Sequence, residues 1–202
     1  ANPELQVIVV LNENPDLPKY KKWQNEAIKN FGINSVYDNI EHPQIGFFTL
    51  WSTELWGKKI EIQPIYVHSK VAIVDDLWAT VGTANLDGSS LTQVNELEGL
   101  KLNRNMEINV LIPELNRNST NVVKRFRNSL WAEHLGKTGK YQNRKSEEGW
   151  LVNWQKIAYE NMNLLKMNPS NLKSRILPYS TANSIEDQLI DLDISIEDLS
   201  FK

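Results

Sequence analysis

HSKVAIVDDLWATVGTAN, residues 68–85, is the stretch on which the reading of this chain turns. Tyr66 to Val74 is rich in β-branched residues and predicts a strand. Positions i and i+2 of a strand share a face, so the imidazole of His68 and the ammonium of Lys70 are expected to leave the sheet together. Asp75 and Asp76 read as a turn and Leu77 to Val81 as the returning strand, which carries Asn85 back beside the pair.

These residue types suit a phosphodiester, which is anionic and resists attack. Lys70 offers a positive charge, and the Asn85 amide can donate to a non-bridging oxygen. Gly82 lets the backbone come close to a ligand, so N–H groups around Gly82 and Thr83 are candidate further donors. His68 carries the one side chain here whose ordinary pKa, about 6.5, suits both nucleophile and acid. Attack by its neutral ring gives a phosphohistidine and divides one hard displacement into two easier ones. The chain has no cysteine and three histidines, none paired at ligand spacing, so no metal and no cofactor are expected. A histidine with a lysine two residues on is ordinarily an exposed strand edge. The full spacing H-x-K-x4-D-x6-G-T-x-N, with apolar residues between, is much more specific than that pair.

The segment from Tyr66 to Leu91, YVHSKVAIVDDLWATVGTANLDGSSL, resembles the HKD signature of the phospholipase D superfamily. Val7 to Leu11, Phe47 to Leu50, Arg127 to Gly136 and, more weakly, Arg175 to Tyr179 resemble flanking segments of its lipid-acting branch. The resemblance implies His68 as the motif histidine, Lys70 and Asn85 as phosphate binders, and Asp75 in a structural role as an ion pair or turn. It also implies a glutamate on the histidine's Nδ1. Glu107, expected on the apolar strand Met106–Ile112, is preferred over Glu96, which lies eleven residues after Asn85. Thr83 stands where serine is usual and keeps the hydroxyl, and Gly88-Ser89-Ser90 lacks an arginine often found there.

Family sites pair two motifs across a pseudo-twofold axis, one histidine attacking phosphorus while the other protonates the leaving oxygen. This chain of 202 residues has one motif. The flanks resemble the C-terminal half of a larger member, so the expected partner is an N-terminal HKD half of the same protein, or else a second copy. The resemblance thus implies a half-site for phosphodiester cleavage or phosphatidyl transfer, phospholipid favoured. The alternatives are a homodimeric nuclease and a binding domain that is idle when isolated.

Composition is that of an ordinary globular chain, 41% apolar and 23% charged, and residues 1–180 read as one domain. The net charge of −3 supplies no bulk attraction to nucleic acid, which is disfavoured as a partner without being excluded. No apolar run approaches the roughly 20 residues of a membrane span, and nothing assigns a compartment. Strands alternating with helices predict a layered α/β domain around a central mixed sheet, and the resemblance implies the layering α/β/α. Leu5–Asn12 reads as a buried strand. A helix from Pro18 carries the stripe Tyr20, Trp23, Ala27 and Phe31, and further helices are expected over 120–135 and from Trp150. Trp23, Trp131 and Trp154 are expected in or near the core. Trp51 and Trp56 are expected to pack against a neighbouring domain or, less favoured, to line a lipid-facing rim. Lys124, Arg125 and Arg127 read as a solvated helix face, and His42 and His134 as structural. Residues 181–202 mix acids with leucine and isoleucine, too apolar for a disordered tail, and are expected to dock.

Overall fold

In chain order the elements are β1 (Val7–Leu11), α1 (Pro18–Lys29), α2 (Val36–Glu41), β2 (Ile45–Trp56), β3 (Lys59–Pro64), β4 (Lys70–Val74), β5 (Trp78–Gly82), β6 (Asn109–Pro113), α3 (Val122–His134), α4 (Trp150–Met167), β7 (Ile176–Pro178), α5 (Ile185–Asp191) and β8 (Leu199–Ser200). They come from a computed structural model that describes residues 2, 4–13, 18–56, 59–85, 106–114, 121–136, 149–167, 172, 174–182, 185–192, 194 and 199–200. The chain is a mixed α/β protein with a mixed sheet, and it divides into two compact units, 1–67 with 131–202, and 68–130.

The first unit holds the mixed sheet. β1 runs parallel to β2, which pairs antiparallel with β3 along one part of its length and with β7 along another, and β8 adds parallel to β3. Trp51, Ile62, Met162, Leu177, Leu189, Leu192 and Ile194 share one core cluster, so apolar residues of the C-terminal segment lie inside this unit. A second cluster gathers Phe48, Leu50, Leu151, Trp154 and Ile157 from β2 and α4. Full burial of one such side chain contributes roughly 1.5–3 kcal/mol. Ser35 and Asp38 form a capping box on α2, and the N–H groups of Asn34 and Ser35 hold the Asp38 carboxyl below its ordinary range. Gly32, at φ +84°, terminates α1 in a left-handed conformation.

The predicted stripe of α1 is corrected. Its buried residues are Lys21, Asn25 and Ile28, while Trp23 is 56% exposed and Phe31 54%. A polar knot explains the reversal. Lys21 Nζ donates to Glu13 Oε1 at 2.6 Å and to the Glu13 and Ser180 carbonyls, while Asn25 accepts from Tyr179 Oη and donates to the Thr181 carbonyl. Polar groups that find such partners can be buried, and the periodicity of apolar letters does not reveal them. Burial pushes the Glu13 carboxyl up and the Lys21 ammonium down, each partly offset by the other's charge. β1, expected to be buried, is half-buried along its whole length. Trp51, expected at a domain contact or rim, is fully enclosed in its own unit and donates its indole N–H to Thr49 Oγ1. The side chain of Trp56 lies outside the described residues.

The second unit carries the antiparallel sheet β4–β5–β6. Its hairpin closes at Asp75 and Asp76, both left-handed at φ 53° and 56°, with the Leu77 N–H donating to the Val74 carbonyl. Successive left-handed residues are costly for most side chains and tolerated by aspartate. The strand predicted for Tyr66–Val74 begins only at Lys70. Arg127, expected on a solvated face, is 7% exposed and holds Asp76 through two hydrogen bonds, Nε to Oδ1 at 2.5 Å and Nη2 to Oδ2 at 2.9 Å.

Candidate active site

An open cleft of about 540 Å³ in the second unit is lined by His68, Lys70, Gly82, Thr83, Asn85, Met106 and Glu107. The hairpin explains the convergence. The register Lys70↔Gly82 brings the start of β4 beside the end of β5, and three further residues carry the chain to Asn85. β6 extends the same rung, Gly82↔Asn109, which sets Glu107 and Met106 at the cleft. Asp75 lies at the other end of the hairpin and does not line the cleft; the ion pair considered for it is made by its neighbour Asp76.

The local geometry differs from the strand-parity argument. His68 precedes β4, so no strand alternation fixes its direction. Lys70 Nζ instead donates to the His68 carbonyl at 2.7 Å, tying the two residues together. The residue before His68 is held as well, because the Asn12 amide donates to the Val67 carbonyl and accepts the Val67 N–H. Glu107 lies just ahead of β6 rather than on it. Its Oε2 accepts from Thr83 Oγ1 at 2.6 Å, and the same hydroxyl accepts the Ile108 N–H at 2.9 Å. The hydroxyl that Thr83 retains is therefore used twice. Glu96, Ser89 and Ser90 lie outside the described residues.

The backbone donors expected near Gly82 are engaged within the protein. The Thr83 N–H donates to the Ile108 carbonyl at 3.0 Å and the Ala84 N–H to Asn109 Oδ1 at 3.3 Å. What comes close to Gly82 is Asn109, whose Oδ1 would lie 1.7 Å from a Cβ at position 82. Asn109 and the pair Asp76–Arg127 were not singled out by the sequence reading. The signal for Asn109 is a lone amide inside the apolar run Ile108–Ile112; for Asp76–Arg127, 51 residues apart, no local signal exists.

Among the described residues, no three histidine, aspartate or glutamate side chains gather as metal ligands would. His42 Nδ1 accepts the N–H groups of Gln44 and Ile45, ending α2. His134 stands edge-on to Trp154, and burial lowers its pKa, with Arg175 adding to the fall and Glu133 opposing it. No described helix is long and apolar enough to cross a membrane. The cleft combines an imidazole, an ammonium, a carboxamide and a carboxylate, a set able to neutralise an anion and move a proton beside it.

A family model described as Phospholipase D matches residues 52–194, well over half of the chain. Phospholipase D zeta 1 of Arabidopsis thaliana is 33% identical over 136 residues, covering 56% of this chain and 11% of that protein. Phospholipase D alpha 4 of the same plant is 39% identical over 72 residues, 36% of this chain and 8% of that protein. Cardiolipin synthase B of Escherichia coli O6:H1 is 44% identical over 54 residues, 27% of this chain and 10% of that protein. The chain thus spans about a tenth of the length of these relatives.

Proposed function

We propose, since this chain belongs to the phospholipase D family, that its cleft is one half of a phosphodiester-cleaving site acting on phospholipid through a phosphohistidine. The observation that carries the reading is the shared cleft of His68, Lys70, Asn85 and Glu107. Lys70 and Asn85 hold the non-bridging oxygens of the phosphate and offset the charge that builds in the transition state. Glu107 fixes the tautomer of His68 by taking its Nδ1 proton in a hydrogen bond. The second imidazole comes from the N-terminal half of the same protein or from another copy of this chain.

In the first step the partner imidazole attacks phosphorus. A P–N bond forms, the P–O bond to the head-group oxygen breaks, and His68 as general acid gives that oxygen its proton. In the second step His68 removes a proton from water or an alcohol, whose oxygen attacks phosphorus and releases the partner imidazole. Hydrolysis and transfer differ only in that acceptor. The relatives named as phospholipase D and as cardiolipin synthase support this chemistry, and the mildly acidic chain favours lipid over nucleic acid.

The test uses the complete protein with both motifs. His68→Asn is expected to lower turnover of phosphatidylcholine vesicles by about 10²–10⁴-fold, the range that general acid catalysis supplies. A nitrophenyl phosphodiester needs no proton on departure, and on it the loss of the bond-breaking step shrinks. Undiminished phospholipid turnover in His68→Asn overturns the reading.

A further inference from the structure

We propose that Asn109 is a positioning residue for Asn85, and that position 82 must be glycine because of the Ile108–Asn109 segment beside it rather than because of substrate. The proposal rests on the reading of the cleft as a phosphate site. Lys70, Gly82 and Asn109 occupy one rung of the β4–β5–β6 sheet and therefore one face of it. With no side chain on the middle residue, the Asn109 amide leans across Gly82. A Cβ there would meet its Oδ1 at 1.7 Å, the Ile108 carbonyl at 2.4 Å and the Asn109 Cα at 2.6 Å. From that position Oδ1 accepts the N–H of Ala84, the residue that precedes Asn85.

Asn109 itself does not line the cleft, so direct contact with substrate is not its role. Its amide belongs to a clasp of four hydrogen bonds between residues 83–84 and 107–109. The Thr83 N–H donates to the Ile108 carbonyl, the Ile108 N–H to Thr83 Oγ1, Thr83 Oγ1 to Glu107 Oε2, and the Ala84 N–H to Asn109 Oδ1. Three of the four involve Thr83. The fourth is made one residue further on, immediately before Asn85, at a position that is not in a strand. Removing it frees the last peptide before the carboxamide while the Thr83 hydrogen bonds stay in place. Asn85 then samples orientations that miss the phosphate oxygen.

Two measurements on the complete protein test this, one of which does not depend on catalysis. Hydrogen exchange at the Ala84 amide is expected to accelerate about tenfold in Asn109→Ala, with the Thr83 and Ile108 amides unchanged, and Asn109→Asp, which keeps an acceptor, is expected to restore protection. In kinetics, Asn109→Ala is expected to lower kcat about three- to tenfold with little change in KM, and to have no further effect where Asn85 is already alanine. An equal loss in both backgrounds, or unchanged exchange at Ala84, overturns the proposal. If the wild-type protein fails to cleave phosphodiesters, the reading of the cleft falls, and the exchange result still decides whether Asn109 holds the segment.

Discussion

The two units are stabilised by different means. In residues 1–67 with 131–202, large side chains such as Trp51, Phe48, Trp154 and Tyr179 are almost wholly enclosed. In residues 68–130 the buried apolar side chains among those described are Ala79 and Val123, while Ile108 is 74% exposed and Leu111 64%. Among its described residues, the second unit is held by its sheet ladder, the clasp around Thr83 and the Asp76–Arg127 pair. A packed core loses stability according to the volume removed, whereas a hydrogen-bond clasp loses a whole contact when one partner goes. The candidate site is built on the second kind of structure, so it should be sensitive to changes that leave overall stability almost untouched.

The largest expected effect that would sharpen this contrast is in the core-held unit. Trp154→Ala removes a ring packed on Phe48 and Trp131 and is expected to cost about 3–5 kcal/mol, read as a fall in the denaturant midpoint. Next comes Asp76→Ala, which leaves the guanidinium of Arg127 without its carboxylate. Both sides of that pair are mostly but not wholly buried, so a cost of about 2 kcal/mol is expected, below that of a fully enclosed pair. It should also accelerate amide exchange across β4 and β5; a change confined to residues 1–67 would break the contrast.

A smaller effect concerns pH. Burial depresses the pKa of His134 in the folded state, so below about 6.5 the unfolded chain takes up a proton before the folded one does. The stability that neutral His134 contributes is complete above that pH and is lost as pH falls from 6.5 through the lower, folded value. Thermal unfolding between pH 8 and 5 should show this slope, and His134→Gln should flatten it. The smallest effect is expected for Leu111→Ser. That exposed side chain of the second unit should change stability by no more than about 0.5 kcal/mol, and a cost near that of Trp154→Ala would contradict its exposure among the described residues.

Local pattern made the hairpin, the helices from Pro18, near 120 and from Trp150, and the grouping of His68, Lys70 and Asn85 legible in the sequence. Those features follow from spacing over fewer than twenty residues. What the sequence withheld is long-range. Lys21 and Asn25 are buried because Glu13, Tyr179 and Thr181 meet them there, and Arg127 is enclosed because Asp76, 51 residues earlier, receives it. The same reasoning misplaced Trp23, whose apolar ring fits a stripe on paper while polar neighbours occupy the inward face.

The hairpin separates letters that the signature writes side by side. Lys70 and Val74 are the two ends of β4, about 14 Å apart along a strand rising roughly 3.4 Å per residue, and Asp75 follows in the turn. Asp75 therefore stands in the turn of the hairpin and not among the residues that line the cleft. A distant sequence that has exchanged Asp75 for glycine or asparagine, both at ease in a left-handed turn, should not be discarded as a dead enzyme on that account. One that has lost Gly82 while every polar letter survives is the better candidate for a silent copy.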